Sequence, residues 1–281
     1  MMYNLNTNDM YVKKLDIKTK NKIIFYVDFF KLDIKSDGLN ILLLREPNAI
    51  INYFQRIDLV KYLQEHYKEY DYIITFDKEL LKLPNVKKLV FGTSWINKKY
   101  WDIKYKKKLR ISTIFGHKKL TEGHKLRHKI YYIDNSINIK KEIYLSGNMN
   151  GHHRGHLIKK MYHKLLGPDK FVCFENCMFH LCIENSRQDN YFSEKLMDCF
   201  MTKTVPVYWG CPNIGEYFDT RGMIILDTDN EYEIVGIINR LTEYDFISRK
   251  KYILKNLETA KQYVNYNDRL CNIIKEIDDE N

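Results

Sequence analysis

The run from Met178 to Lys195, MFHLCIENSRQDNYFSEK, followed by Val205 to Gly210, VPVYWG, is the part of this chain whose reading decides the fold. Residues 178–184 form an apolar run of strand length, 185–192 are a polar loop, and 193–202 have helical periodicity. A second apolar strand spans 204–209, with a turn at Gly210-Cys-Pro-Asn213, a short helix and a third strand at 222–226. Strands and helices alternating in this way point to an open α/β sheet. From Glu231 the pattern is helical, with Ile234, Ile237, Ile238 and Leu241 on one face. Upstream, Leu109–Phe115 reads as a strand. A loop, GHKKLTEGH, then leads to a helix carrying Leu126, Ile130 and Ile133. A further helix carries Leu157, Ile158, Met161 and Leu165 and stops at Gly167-Pro168.

The first third repeats the alternation. Ile23–Val27, Ile41–Leu44, Tyr72–Thr75 and Leu89–Phe91 have strand character, and Leu59, Val60, Leu63 and Tyr67 share one helical face. The basic aromatic segment Asn97–Lys108, NKKYWDIKYKKK, separates the two halves. The expectation is an α/β protein with one unit over residues 1–108, a second over 109–264, and a helical tail at 265–281.

With 281 residues, 44% hydrophobic and 29% charged, the chain builds a core and is not a disordered protein. A net charge of +10 favours anionic partners, although scattered lysines also make an ordinary solvated surface. The six cysteines lie in the second half without CxxC spacing, several within apolar runs, which suits buried free thiols. The amino terminus has no apolar signal region, and no stretch reaches the roughly 18 apolar residues of a membrane span. A soluble, cytoplasmic protein is expected, in the host cytoplasm if viral.

In an open α/β sheet, ligands bind beyond the carboxyl ends of the strands. Strand 178–184 ends at Glu184-Asn185, and Ser193 is placed to cap the next helix, with Glu194 and Lys195 in its first turn. That turn offers free N–H groups and the positive end of the helix dipole. A lysine there is unfavourable for the helix alone. It fits either a diphosphate partner or a side chain turned to solvent. Gly210 ends the next strand, where a ligand can approach the backbone closely. Arg127 sits on the helix after strand 109–115, and an arginine can hold a phosphate with two parallel hydrogen bonds. Glu46 directly follows strand 41–44 and precedes Pro47, which puts a carboxylate at a sheet edge.

Phe179–Ser186, then Tyr191-Phe-Ser-Glu-Lys195, then Val205–Gly210 together resemble the signature of the glycosyltransferase family 10 fucosyltransferases, of soluble bacterial or viral type. The likeness consists of a strand ending in Glu-Asn, a tyrosine six residues after the Asn, Ser-Glu-Lys opening a helix, and a Val-Pro-Val strand ending in Gly. Leu126-Arg127 and Leu44-Arg-Glu46-Pro47 resemble the family's phosphate-binding arginine and general-base positions, the latter lacking one intervening residue. The resemblance implies a GT-B fold, two facing Rossmann-like domains with a nucleotide-sugar cleft between them. It implies GDP-fucose as donor, held by Arg127, Asn185, Tyr191, Glu194 and Lys195, with Arg154, Glu184 and Gly210 as further contacts. It also implies a glycan acceptor whose hydroxyl is deprotonated by Glu46, transfer with inversion, and no required cofactor or metal.

Asp227-Thr-Asp229 has the Asp-x-Asp form of metal-dependent transferases but follows a strand where a surface loop is expected. The histidines of Gly151-His-His-Arg-Gly-His156 have no Cys or carboxylate beside them. Two other readings remain. One keeps the fold with a different nucleotide sugar. The other is a non-catalytic polyanion or nucleic-acid binder, suggested by the charge and 22 tyrosines. No helix-turn-helix, finger or RNP-like pattern supports specific nucleic-acid binding. Acceptor, linkage and oligomeric state leave no mark in the sequence.

Overall fold

The computed structural model describes residues 6–7, 12, 15, 17–29, 37–104, 106–146 and 164–281. It divides into two compact units. The first comprises residues 1–92, Gln188–Tyr191 and Asn265–Asn281, the second Thr93–Arg187 and Phe192–Val264. The basic segment 97–108 thus belongs to the second unit, and the carboxy-terminal helix to the first.

The first unit is built on a parallel sheet in the order β1 (Asn6–Thr7), β2 (Ile23–Val27), β3 (Leu39–Leu43), β4 (Tyr72–Thr75), β5 (Val86–Lys88). Alternate residues of the central strand serve opposite faces. Ile41 and Leu43 pack with Tyr266, Leu270, Ile274 and Ile277 of the last helix, α7 (Tyr266–Glu280). Leu42 and Leu44 pack with Ile51, Leu59 and Leu63 of α1 (Asn48–Gln55) and α2 (Leu59–His66). Asp278 of α7 accepts the backbone N–H groups of Lys20 (2.7 Å) and Asn21 (2.8 Å), which ties the end of the chain to its beginning.

The second unit holds six parallel strands in the order β11-β10-β9-β6-β7-β8. They are β6 (Lys108–Gly116), β7 (Lys140–Ser146), β8 (Lys164–Leu165), β9 (Cys177–Ile183), β10 (Val205–Trp209) and β11 (Ile224–Ile225). The chain runs outward from β6 through β7 and β8, returns beside β6 with β9, and runs outward the other way. That is the doubly wound nucleotide-binding order, with its switch point between β6 and β9. All residues of β9 are buried, as a central strand covered on both faces requires. Pro206 sits in β10 yet outside the β11 ladder, which engages only Val207 and Tyr208.

The helices of this unit are α3 (Glu122–Tyr132), α4 (Glu194–Met201), α5 (Glu231–Asn239) and α6 (Glu243–Ala260). Leu126 and Ile130 of α3, Ile234 and Ile238 of α5, and Ile253 of α6 close over Ile111, Phe179, Leu181, Val205 and Val207.

Two differences from the sequence reading have clear causes. The strand expected at 89–91 is at 86–88. Leu89 and Val90 are buried, so their apolar character marks packing, whereas the ladder to β4 is made by Val86, Lys87 and Lys88. β7 carries no apolar run at its start because Glu142 is buried there as an ion-pair partner of Arg110 (2.6 Å) and Lys164 (2.8 Å).

All six cysteines are free thiols, five of them buried. No helix among the described residues is long and apolar enough to cross a membrane. The helix expected around 157–165 falls almost wholly outside the described residues.

Candidate active site

The first turns of α3 and α4 meet the carboxyl end of β9. Ser193 caps α4, its Oγ accepting from the Lys195 N–H at 3.4 Å. Its own N–H and hydroxyl both donate to the Glu184 carboxylate, at 2.8 and 2.7 Å. Glu184, the last residue before the loop, is completely buried, so its charge must be met from within.

Lys195 meets it. Its ammonium lies 3.5 Å from Glu184 and 3.3 Å from Glu194, and donates to Ser193 Oγ at 3.1 Å. Burial opposes the charge on Lys195, but attraction to Glu194 and Glu184 outweighs it and raises the pKa. Glu194 is likewise opposed by burial, yet Lys195 and Lys170 hold its carboxyl below the ordinary value. Lys170 in turn pairs with Asp198 at 2.7 Å, and Asp198 Oδ1 accepts the Ser94 hydroxyl and the Trp95 N–H, each at 2.8 Å. Alternating charges therefore run from Glu184 through Lys195, Glu194 and Lys170 to Asp198. The Lys195 side chain is 24% exposed, the less buried of the cluster's two lysines.

Arg127 stands in the second turn of α3. Its guanidinium donates to the carbonyls of Ile183 and Glu184 (2.5 and 3.3 Å) and to Asn185 Oδ1 (3.0 Å). The arginine is thus locked onto the end of β9 beside Asn185. Gly123 allows this approach. A Cβ there would fall 1.9 Å from the Glu184 carbonyl oxygen and 2.9 Å from that of Asn185, whose oxygen accepts the Gly123 N–H at 3.1 Å. Glu122 completes the contact by accepting from the Ser186 hydroxyl (3.1 Å) and the Arg187 N–H (2.7 Å).

By helix propensity alone, Gly123→Ala should stabilise by about 1 kcal/mol. Overpacking against backbone that cannot yield should cost roughly 1–3 kcal/mol or more. The expected outcome is a lower midpoint in thermal denaturation. An unchanged or raised midpoint would show that α3 does not depend on this contact.

Gly210 is similarly constrained, since a Cβ would lie 2.5 Å from the Tyr208 hydroxyl and 2.7 Å from Glu184 Cγ. Six of the sequence-predicted residues, Arg127, Glu184, Asn185, Glu194, Lys195 and Gly210, are therefore gathered at the ends of β9 and β10 in the second unit.

Glu46 and Tyr191 belong to the first unit. Glu46 follows β3 and is half-buried. Its N–H donates to Asp28 Oδ1 at 3.0 Å, as does that of Arg45 at 2.5 Å, while the Arg45 guanidinium pairs with Asp28 Oδ2 at 3.0 Å. Asp28 directly follows β2 with φ of 53°, a left-handed conformation in a non-glycine residue. Next to β3, the end of β4 carries buried Asp77. Its Oδ2 accepts from Asn48 (2.7 Å) and Gln188 (3.0 Å), and Gln188 Oε1 accepts the Asn48 N–H at 2.9 Å. The Tyr191 ring lies 5.4 Å from that of Phe76.

Arg154 and the histidines at 152, 153 and 156 lie outside the described residues. Asp227 is 85% exposed at its side chain and 3.9 Å from Arg187. Among the described residues no three His, Cys, Asp or Glu groups cluster as metal ligands.

Sequence reasoning did not single out Asp28, His124, Lys170 or Asp198. For His124 a signal existed, the Thr121-x-x-His124 spacing of a capping box, in a stretch read as loop; the helix begins at Glu122.

Residues 142–281 match the sequence profile described as glycosyltransferase family 10 (fucosyltransferase), C-terminal part. A curated α-(1,3)-fucosyltransferase of Helicobacter pylori is 33% identical over 64 residues, which are 22% of this chain and 13% of that relative's length. Among solved structures, an α1,3-fucosyltransferase superposes with a TM-score of 0.51 at 13% identity, covering 88% of this chain and 78% of its own. An α1,3-fucosyltransferase solved with GDP-fucose gives 0.50 at 14% identity, covering 89% and 77%. A UDP-forming α,α-trehalose-phosphate synthase from Burkholderia xenovorans gives 0.56 at 9% identity, covering 89% and 72%. At such identities the likeness concerns the fold, which is GT-B, with two Rossmann-like α/β units. Taken with the profile match, the carboxy-terminal part of this chain, residues 142–281, belongs to glycosyltransferase family 10.

Proposed function

We propose that this chain transfers fucose from GDP-fucose to a hydroxyl of a glycan, with inversion at the anomeric carbon and without a required metal. The observation that carries the reading is the Ser193-Glu184-Lys195-Glu194 constellation at the amino terminus of α4, beside Arg127 and Asn185 at the switch point of the second sheet. Helix amino termini and fixed cations at such a switch point are suited to a diphosphate.

In this reading Lys195 and Arg127 stabilise charge on the departing diphosphate. Glu194 accepts a hydrogen bond from a ribose or sugar hydroxyl, and Asn185 and Tyr191 complete the donor contacts. Glu46 takes the proton from the acceptor hydroxyl as that oxygen forms its bond to the anomeric carbon and the bond to the diphosphate oxygen breaks. A single displacement through an oxocarbenium-like transition state inverts the configuration.

Calorimetry with GDP, UDP, GDP-fucose and GDP-mannose tests the donor. Binding of GDP and GDP-fucose but not UDP is expected, and binding of UDP alone overturns the donor assignment. NMR of the product anomer tests inversion, and turnover in excess chelator tests the metal-free reading.

A further inference from the structure

The cations assigned above to the diphosphate are already engaged inside the protein. Around the amino terminus of α4, Lys170 and Lys195 pair with Glu184, Glu194 and Asp198, and Arg127 is held by the carbonyls of Ile183 and Glu184 and by Asn185. An incoming diphosphate therefore meets cations that already have partners, and its binding must draw on oriented uncharged N–H groups as well.

We propose that His124 is one of these groups, a neutral imidazole whose Nε2–H donates a hydrogen bond to the diphosphate of the bound nucleotide. The proposal rests on reading the second unit as the donor-binding one. His124 occupies the first turn of α3, one turn before Arg127, so the two share a face of the helix. Its side chain belongs to a residue only 5% exposed. Nδ1 lies 3.3 Å from the Thr121 backbone N–H and 2.5 Å from the Thr121 hydroxyl. A backbone N–H can only donate, so Nδ1 accepts and the proton of the neutral ring resides on Nε2. The capping box thereby sets the tautomer and turns Nε2 to the side of the ring away from Thr121.

Nε2 has no hydrogen-bond partner among the described residues, and it is not among the polar atoms sealed from solvent. A ring so enclosed, with one donor open and unpaired, is arranged for a ligand rather than for the fold. Burial, and after it the charges of Arg127, Lys118 and Lys195, bring the pKa of His124 down to about 3, so the ring is uncharged at neutral pH. The same charges show that His124 stands within the field of both cations assigned to the diphosphate. The neighbouring first-turn residues hold the site together, with Gly123 against the Glu184 and Asn185 carbonyls and Glu122 on Ser186 and Arg187. His124 thus belongs to the turn of α3 that packs on the Glu184–Arg187 segment.

His124→Asn tests the assignment, because an Asn oxygen can still accept from Thr121 while nothing remains at the Nε2 position. GDP affinity by calorimetry is expected to fall roughly tenfold, about the loss of one good hydrogen bond, with a thermal midpoint near that of the unmodified protein. Histidine labelled with 15N supplies a readout that packing alone would not move. One Nε2–H resonance, identified by its absence in His124→Asn, should shift downfield when GDP is added. GDP binding with native affinity in the variant, or an Nε2–H signal indifferent to bound GDP, overturns the proposal and leaves the donor reading standing. If the unmodified protein binds neither GDP nor UDP, the donor reading itself falls, and this inference with it. Should His124→Asn fail to fold, His124→Gln, which keeps a capping-box acceptor, identifies the resonance in its place.

Discussion

Lys195→Ala should lower thermal stability and weaken GDP binding together, because the ammonium serves two masters. In the folded chain it balances Glu184 and Glu194, both buried. Removing one partner of a buried ionic cluster leaves uncompensated charge, at roughly 3–5 kcal/mol. In the unmodified protein Glu194 lies below the ordinary value, so the stability it contributes is lost as the pH falls through it. With the lysine gone, burial is opposed at the Glu194 carboxyl mainly by Lys170, so its pKa should rise from that lowered value. Stability of the variant should therefore fall less with acid than that of the unmodified protein.

The second loss is a charge-assisted hydrogen bond to phosphate, worth about 1.5–3 kcal/mol, or roughly 10- to 100-fold in GDP affinity. Calorimetry below the unfolding transition separates the two effects. Native GDP affinity in a destabilised Lys195→Ala would make the lysine a structural counter-ion and remove it from the donor site.

Glu46→Gln is expected to have the largest kinetic effect with the smallest structural one. The substitution is isosteric, and the N–H that anchors residue 46 to Asp28 belongs to the backbone and survives it. Donor binding and thermal midpoint should stay near native. If Glu46 takes the acceptor proton, kcat should fall by roughly 10²–10⁴-fold, the usual contribution of a positioned base. Steady-state rates with GDP-fucose and a panel of glycan acceptors provide the measurement. Retention of more than a tenth of the native kcat would assign the base elsewhere. The contrast between the two variants is informative in itself, since Lys195→Ala acts on binding and fold whereas Glu46→Gln acts on turnover.

The parts of the fold that could be read in advance share a property. The segments around β9, α4 and β10 combine an apolar strand, a Ser cap and a second apolar strand within about thirty residues, and each element follows from its own local pattern. Where local pattern and tertiary role diverge, reading fails. Glu142 disguises β7 because a buried carboxylate looks like surface until Arg110 and Lys164 are seen beside it. Buried Leu89 and Val90 displace β5 by three residues because burial and strand pairing are different constraints.

The candidate site divides the same way. Glu194 and Lys195 in the first turn of a capped helix are legible, because capping is a contact between residues two or three apart. That Lys195 is balanced by Glu184 is not, because the pair forms only when the turn of α4 folds back onto the end of β9. The clasp of Arg127 on Ile183, Glu184 and Asn185 joins residues 56 to 58 positions apart. The passage of Gly123 against the Glu184 carbonyl likewise depends on two strand ends being neighbours at the switch point.

Sequence by itself therefore determined the α/β class, the βαβ unit that carries the signature, and the helix amino terminus on which the functional proposal stands. These are properties of short segments, set by periodicity, capping and turn chemistry. Tertiary structure alone decided that α7 joins the first unit, that Asp28 anchors Glu46, and that Lys170 and Lys195 near α4 pair with Glu184, Glu194 and Asp198. Those facts are distances between groups far apart in the chain, and Coulomb energy and burial depend on distance through space.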